Sequence, residues 1–263
     1  MNRRAGQSRA GLVGAAIGLA MTAGACATAH RPAAKPTPTP TPAGGSPAAG
    51  VPTAGADPAR IDPANFVRTV DNPWFPLVPG QSRVYEGVRD GKAAHEVFMV
   101  TAETKTILGV PCVVVRDSLA LDGHPAEQTD DWYAQDRAGN VWYFGEETAK
   151  FNPDGSVKSR EGRILAGTDG AQAGIYITAT PQIGVDFTQE LYKGHAEDHF
   201  VATGTGASVK VPYGSFTDTL VTKEYTPLEP GAVDHKYYAR GIGVVKELAE
   251  DGSERLELAS LSP

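Results

Sequence analysis

The densest group of side chains able to bind a metal or move a proton is His195-Ala196-Glu197-Asp198-His199. Its H-x-E-x-H order matches neither arrangement used by the helical zinc proteases. On a helix, His195 and His199 would share a face and could chelate one ion. Along a strand, residues four apart lie about 13 Å from each other, too far for a shared ion. The flanking Tyr192 and Phe200 read as strand or loop, so the segment is expected to be a solvated acidic turn with no metal. As chemistry it still defines one alternative, a secreted hydrolase using His195, Glu197 or Asp198. Other signatures fail. There is no G-x-S-x-G elbow, and Gly204-Thr205-Gly206 and Gly241-Ile242-Gly243 lack the strand–loop–helix setting that cradles phosphate. Asp130-Asp131 and Glu146-Glu147 point to opposite faces if they lie in strands, so neither pair makes a dyad by itself. No catalytic residue and no cofactor is therefore expected. Cys112, inside an apolar run, reads as a buried thiol.

Binding is a better prospect than catalysis. In D-W-Y-A-Q-D-R-A-G-N-V-W-Y-F-G, Arg137-Ala138-Gly139 reads as a three-residue loop with Gly139 in the left-handed conformation. Pairing Asp136 with Asn140 sets Ala134 opposite Trp142 and Trp132 opposite Phe144. Those four make a core face. The other face holds Tyr133, Gln135, Val141 and Tyr143, either a solvated sheet surface or a cleft wall. Ala166 to Gly184 reads as a long irregular segment carrying Ile175, Tyr176 and Ile177, whose burial needs a surface to lie against. It is expected either to fold over the tyrosine face as a lid or to plug an open end of the sheet. The candidate ligand-binding residues are Tyr133, Gln135, Tyr143 and Tyr176.

These residues need a sheet to position them. Short β-branched and aromatic runs recur at Ser82–Val88, Ala94–Thr104, Val110–Leu121, Glu127–Asp136, Ser159–Leu165, Val185–Tyr192 and His199–Thr205, with turns at Asp90-Gly91 and Asp122-Gly123. From Val209 to Glu247 three more runs are separated by Gly214, Pro230-Gly231 and Gly241-Ile242-Gly243, the form of an antiparallel meander. Asp62 to Val70 could begin as a short helix, capped by Asp62 with Pro63 at its first position. Asn72 to Gly80, with three prolines, is a stiff entry segment expected to cross a sheet edge. The fold class is all-β: a single curved antiparallel sheet or open β-barrel of about ten to twelve strands.

The V-P-Y-G-S-F and Y-Y-A-R-G-I-G-V-V-K-E segments resemble the C-terminal portion of β-rich bacterial envelope lipoproteins, some of which resemble half-barrel lipoprotein or lipid carriers. N-P-W-F-P-L and G-N-V-W-Y-F-G are similar to segments of an uncharacterised secreted family, over most of Asn72–Leu248. The resemblance implies a fold and no assigned catalytic residues.

The N-terminal region supplies an address. Residues 1–26 read as a lipoprotein-type signal peptide: Arg3, Arg4 and Arg9, an apolar stretch from Gly11 to Ala20, then Ala23-Gly24-Ala25 into Cys26. Lipidation of Cys26 would anchor the chain to the membrane; the alternative is ordinary cleavage and release as a soluble extracellular protein. Residues 27–58, with P-T-P-T-P-T-P at Pro36–Pro42, read as a disordered linker, and residues 59–263 as one all-β domain. Of 24 basic and 31 acidic residues in the chain, 5 and 1 lie in residues 1–58, so the remainder carries a net charge of −11. Such a body repels nucleic acid. The expected function is an envelope-tethered, non-enzymatic binding or carrier protein for a small or lipidic ligand, with a structural cell-surface module as a further alternative.

Overall fold

Two-residue turns set the register of the first hairpins. Asp90-Gly91, Leu108-Gly109 and Asp122-Gly123 each have positive φ at both residues. That is the type I′ geometry, whose twist matches paired antiparallel strands. The computed structural model describes residues 61–263; the leader, the linker and Cys26 lie outside the described residues.

The strands are β1 (Phe66–Val67), β2 (Ser82–Arg89), β3 (Lys92–Ile107), β4 (Val110–Leu121), β5 (His124–Asp136), β6 (Val141–Phe151), β7 (Val157–Ser159), β8 (Ile164–Leu165), β9 (Gln172–Ile177), β10 (Asp186–Tyr192), β11 (Ala196–Val211), β12 (Gly214–Tyr225), β13 (Val233–Ala239), β14 (Gly243–Ala249) and β15 (Glu254–Ser262). All named strand pairings are antiparallel, and β15 returns to β2. The β5–β6 hairpin joins the two ends of the sheet, giving a closed barrel of twelve strands. Closure leaves no exposed edge along the wall, a stable solution for a sheet of this size. Strands β7 and β8 pair with β6 beside β9 and patch the wall there.

A barrel of eight strands is just filled by its own side chains, so twelve leave a wider lumen that needs filling. The segment after β1 does this at one end. Asn72 organises it: its Oδ1 accepts from Trp74 N at 2.8 Å and Phe75 N at 3.2 Å, while its Nδ2 donates to Gly139 O at 2.7 Å. Trp74, Phe75 and Leu77 join the interior cluster with Phe98, Val115, Leu220 and Leu258. Each such apolar side chain contributes about 1.5–3 kcal/mol by burial. The segment thus plugs the lumen instead of crossing a sheet edge. Before it, the expected helix is only one 3₁₀ turn, Pro63–Asn65, capped by Asp62.

A second apolar cluster lies on the opposite face of β5 and β6. Trp132, Ala134, Trp142 and Phe144 pack there with Ile107, Val114 and Ile175, and Phe66 meets Trp142 and Phe144 edge-on. Elsewhere the outer wall carries paired charges such as Arg116–Asp130 and Lys246–Glu257. A wall so decorated faces water rather than lipid.

Candidate functional site

The β5–β6 hairpin brings the tyrosines inside. Tyr133 pairs with Tyr143, Ala134 with Trp142 and Gln135 with Val141, as alternation requires. Beyond Tyr143 the register slips at Phe144-Gly145, so that Asp131 faces Glu146. This bulge puts Tyr143 and Glu146 on the same inward side. Only glycine fits it: Gly145 has φ +114°, and a Cβ there would stand 2.1 Å from Ile164 O. Strand β9 supplies Tyr176. The ring centroids of Tyr133 and Tyr143 are 5.2 Å apart and those of Tyr133 and Tyr176 are 5.1 Å apart, with Phe75 of the plug against both Tyr133 and Tyr176.

The segment expected to be a lid or a plug is therefore barrel wall over Gln172–Ile177. Its apolar run is continuous because both faces are covered: Ile175 packs in the outer cluster and Tyr176 in the interior one. Gln135 is also in place, but it is engaged. It accepts from Asp71 N at 2.9 Å and donates to Asp71 Oδ1 at 2.6 Å, tying the plug to the wall.

Next to the tyrosines lies a band of buried acids. Tyr143 Oη is 2.7 Å from Asp131 Oδ1 and 2.9 Å from Glu146 Oε2. One phenol proton serves only one of these contacts, so the other requires a protonated carboxyl donating to the phenol oxygen. Burial pushes Glu146 up to about 7 and holds Asp131 well above the usual carboxylate range, with Glu146 as the next cause. Asp198 is pushed up to about 7 by burial as well. Glu190, which pairs across strands with Asp198, is held well above the usual carboxylate range by burial and then by Glu146 and Asp198. Asp117 is raised by burial, then by Glu96 and Asp131.

Three buried cations share this interior. Arg89 Nη2 binds Glu254 Oε1 at 2.8 Å and Glu96 Oε2 at 3.3 Å. Lys236 Nζ is 2.8 Å from Glu224 Oε2 and 3.9 Å from Glu247 Oε2. Burial opposes the Lys236 charge, but Glu224 and Glu247 outweigh it and hold the ammonium ionised. Arg83 lies over the Phe98 ring at 5.0 Å and donates to Pro76 O of the plug. A cavity of about 20 Å³ between Arg83, Tyr85, Glu96, Tyr176, Lys236 and Glu247 has room for one water molecule.

The end remote from the plug is open. A cleft of about 680 Å³ lies there, lined among others by Arg89, Leu119, Leu121, Glu127, Lys150 and Phe151. Along β4, β5 and β6 its lining leads inward, on the same strand faces, to Asp117, Asp131 and Glu146.

The histidine segment does not converge. His195 sits in the turn before β11 and stacks on Tyr192 at 4.2 Å. Glu197 Oε1 accepts from Gly194 N at 2.7 Å, whereas Asp198 is buried beside Glu190. His199 contacts Asp186 at 2.9 Å and stacks on Tyr225. Among the described residues no three His, Cys, Asp or Glu side chains are grouped to hold a metal ion. Cys112 is buried, and burial pushes its thiol up to about 12, which leaves it un-ionised and inert.

No family model matches the chain, and no curated protein does. Among solved structures the chain is similar to one described as a "putative lipoprotein" from Parabacteroides distasonis, with 13% identity, a TM-score of 0.36, and 72% of this chain and 97% of that chain covered.

Proposed function

We propose that this protein is an envelope-tethered binding or carrier protein that holds a small ligand inside its barrel without transforming it. One observation carries the reading. Tyr133, Tyr143 and Tyr176 meet in the lumen next to a band of buried acids, of which Asp117, Asp131 and Asp198 each keep one oxygen without a protein partner, below a cleft of about 680 Å³. Small-molecule sites combine an apolar body with a few convergent polar groups in this way. Aromatic rings form the floor, phenol and carboxyl groups orient the ligand, and the plug closes the far end. A long acyl chain suits this lumen poorly, because it would lie against buried acids it cannot hydrogen-bond. The ligand is accordingly small and polar rather than lipidic. A tether at Cys26 would keep the barrel at the outer face of the membrane.

The reading is tested by a thermal-shift screen of small polar compounds, repeated on Tyr143→Phe and Tyr176→Phe. Compounds that stabilise the protein should lose roughly tenfold in affinity in at least one variant, the worth of one oriented hydrogen bond. If every stabilising compound is indifferent to both changes, the lumen is not the site.

A further inference from the structure

The buried charges are shared unevenly around the lumen. On one side Glu96 and Glu254 face Arg89, and Glu224 and Glu247 face Lys236. On the other side Asp117, Asp131, Glu146, Glu190 and Asp198, all at most 8% exposed, have no cation within ion-pair distance among the described residues. Their oxygens are also short of donors. One carboxyl oxygen each of Asp117, Asp131 and Asp198 is buried without a hydrogen-bond partner, and Glu190 has only a carboxyl–carboxyl contact with Asp198. Buried acids are ordinarily paired, and leaving their oxygens unpartnered is costly.

We infer that the barrel takes a ligand carrying a single ammonium group, seated among Asp117, Asp131, Glu146, Glu190 and Asp198. The inference rests on the reading that the lumen binds a small molecule and specifies its chemistry. Lys236 is the internal precedent: the same lumen already holds one ammonium 2.8 Å from Glu224 and 3.9 Å from Glu247, with Tyr176 lining the adjoining cavity. The rings of Tyr133 and Tyr143 border the cation-free side through the Tyr143–Asp131 and Tyr143–Glu146 contacts, and aromatic faces attract organic cations. On entry the ammonium replaces carboxyl protons, which leave to solvent, so the site gains a cation as it releases H⁺.

The cleft fixes the orientation. Glu127 and Lys150 line it, and each lies four residues along its strand from Asp131 or Glu146, roughly 13 Å at strand rise. Leu119, Leu121 and Phe151 offer apolar surface to the ligand body. Lys150 is paired with Glu127 at 3.6 Å, and Lys92 and Lys158 outnumber Asp122 in the rest of the lining, which disfavours a second cation, so the outer end of the ligand is neutral or anionic.

Isothermal titration at neutral pH, in two buffers of different ionisation enthalpy, tests this with hexylamine, 1-hexanol, hexanoate and 1,6-diaminohexane. Hexylamine, as its ammonium ion, is expected to bind at least about tenfold tighter than the other three, with proton release. Glu190→Gln and Asp131→Asn, which keep side-chain shape, should each weaken it by roughly tenfold while unfolding stays cooperative. The inference is overturned if hexylamine does not bind, if any of the other three binds as tightly, or if neither variant weakens it. Binding of hexanol or hexanoate that is lost in Tyr143→Phe would leave the lumen as a ligand site and refute only the ammonium. If, in addition to a failed titration, no compound in the thermal-shift screen responds to the tyrosine variants, the binding reading falls too.

Discussion

The Tyr143 hydroxyl stands between two carboxyls, and that contact sets the protonation of its surroundings. With Asp131 and Glu146 both within hydrogen-bond reach, at least one is protonated in the folded protein. Burial likewise pushes Glu146, Asp198 and Glu254 up to about 7. In the unfolded chain these groups titrate in the ordinary carboxylate range, near pH 4. Between about pH 4 and 7 the folded state therefore binds more protons than the unfolded state, and stability falls as pH rises through that window. The protein should melt roughly 5–10 °C higher at pH 5 than at pH 8 in the absence of ligand, the reverse of common acid sensitivity. Glu190→Gln should narrow that gap by raising the melting temperature at pH 8. A melting temperature that rises from pH 5 to pH 8 would show that these acids are ionised and paired. The buried acids are missed from the sequence, where Asp131 and Glu146 are set aside as dyad partners and Asp198 is expected in a solvated turn, although all three are buried. Glu96 and Phe98, Asp117 and Leu119, and Lys236 and Tyr238 share the inward faces of their strands, so alternation alone places charge beside core. What could not be read was the convergence of those strands, which depends on barrel closure between residues far apart in sequence.

Strand β6 does the most to build the site, because its bulge turns both Tyr143 and Glu146 inward. Gly145→Val would drive its Cβ against Ile164 O and demand a backbone angle that β-branched residues avoid. The expected loss is at least about 2 kcal/mol in urea unfolding, together with loss of ligand response. Near-wild-type stability would mean that the register of β6 can shift without harm. The hairpin itself was readable from W-Y-A-Q-D-R-A-G-N-V-W-Y, since its alternation and Gly139 leave one pairing that makes a core face. Strand β9 was not readable. Q-A-G-I-Y-I lacks alternation because it is covered on both faces, and the glycines and alanines around it look like a loop. The entry segment was misplaced for a related reason: three prolines exclude it from a sheet, but only a lumen wider than its wall side chains can fill makes it a plug.

At the scale of the molecule, the proposed function makes a container of a twelve-stranded barrel plugged at one end, with residues 1–26 as its address. Cys26→Ser should move the protein from the membrane fraction into the soluble exported fraction, while the folded barrel keeps its melting temperature. Equal membrane retention of the variant would remove lipidation from the account. The central claim is that the lumen holds a small molecule, and native mass spectrometry of protein purified from its own envelope tests it most directly. The account predicts a folded species heavier than the acylated chain by one small amine, released on denaturation and much reduced in Glu190→Gln. A folded species with no mass beyond chain and acyl groups, which stays so when small amines are added, would contradict it.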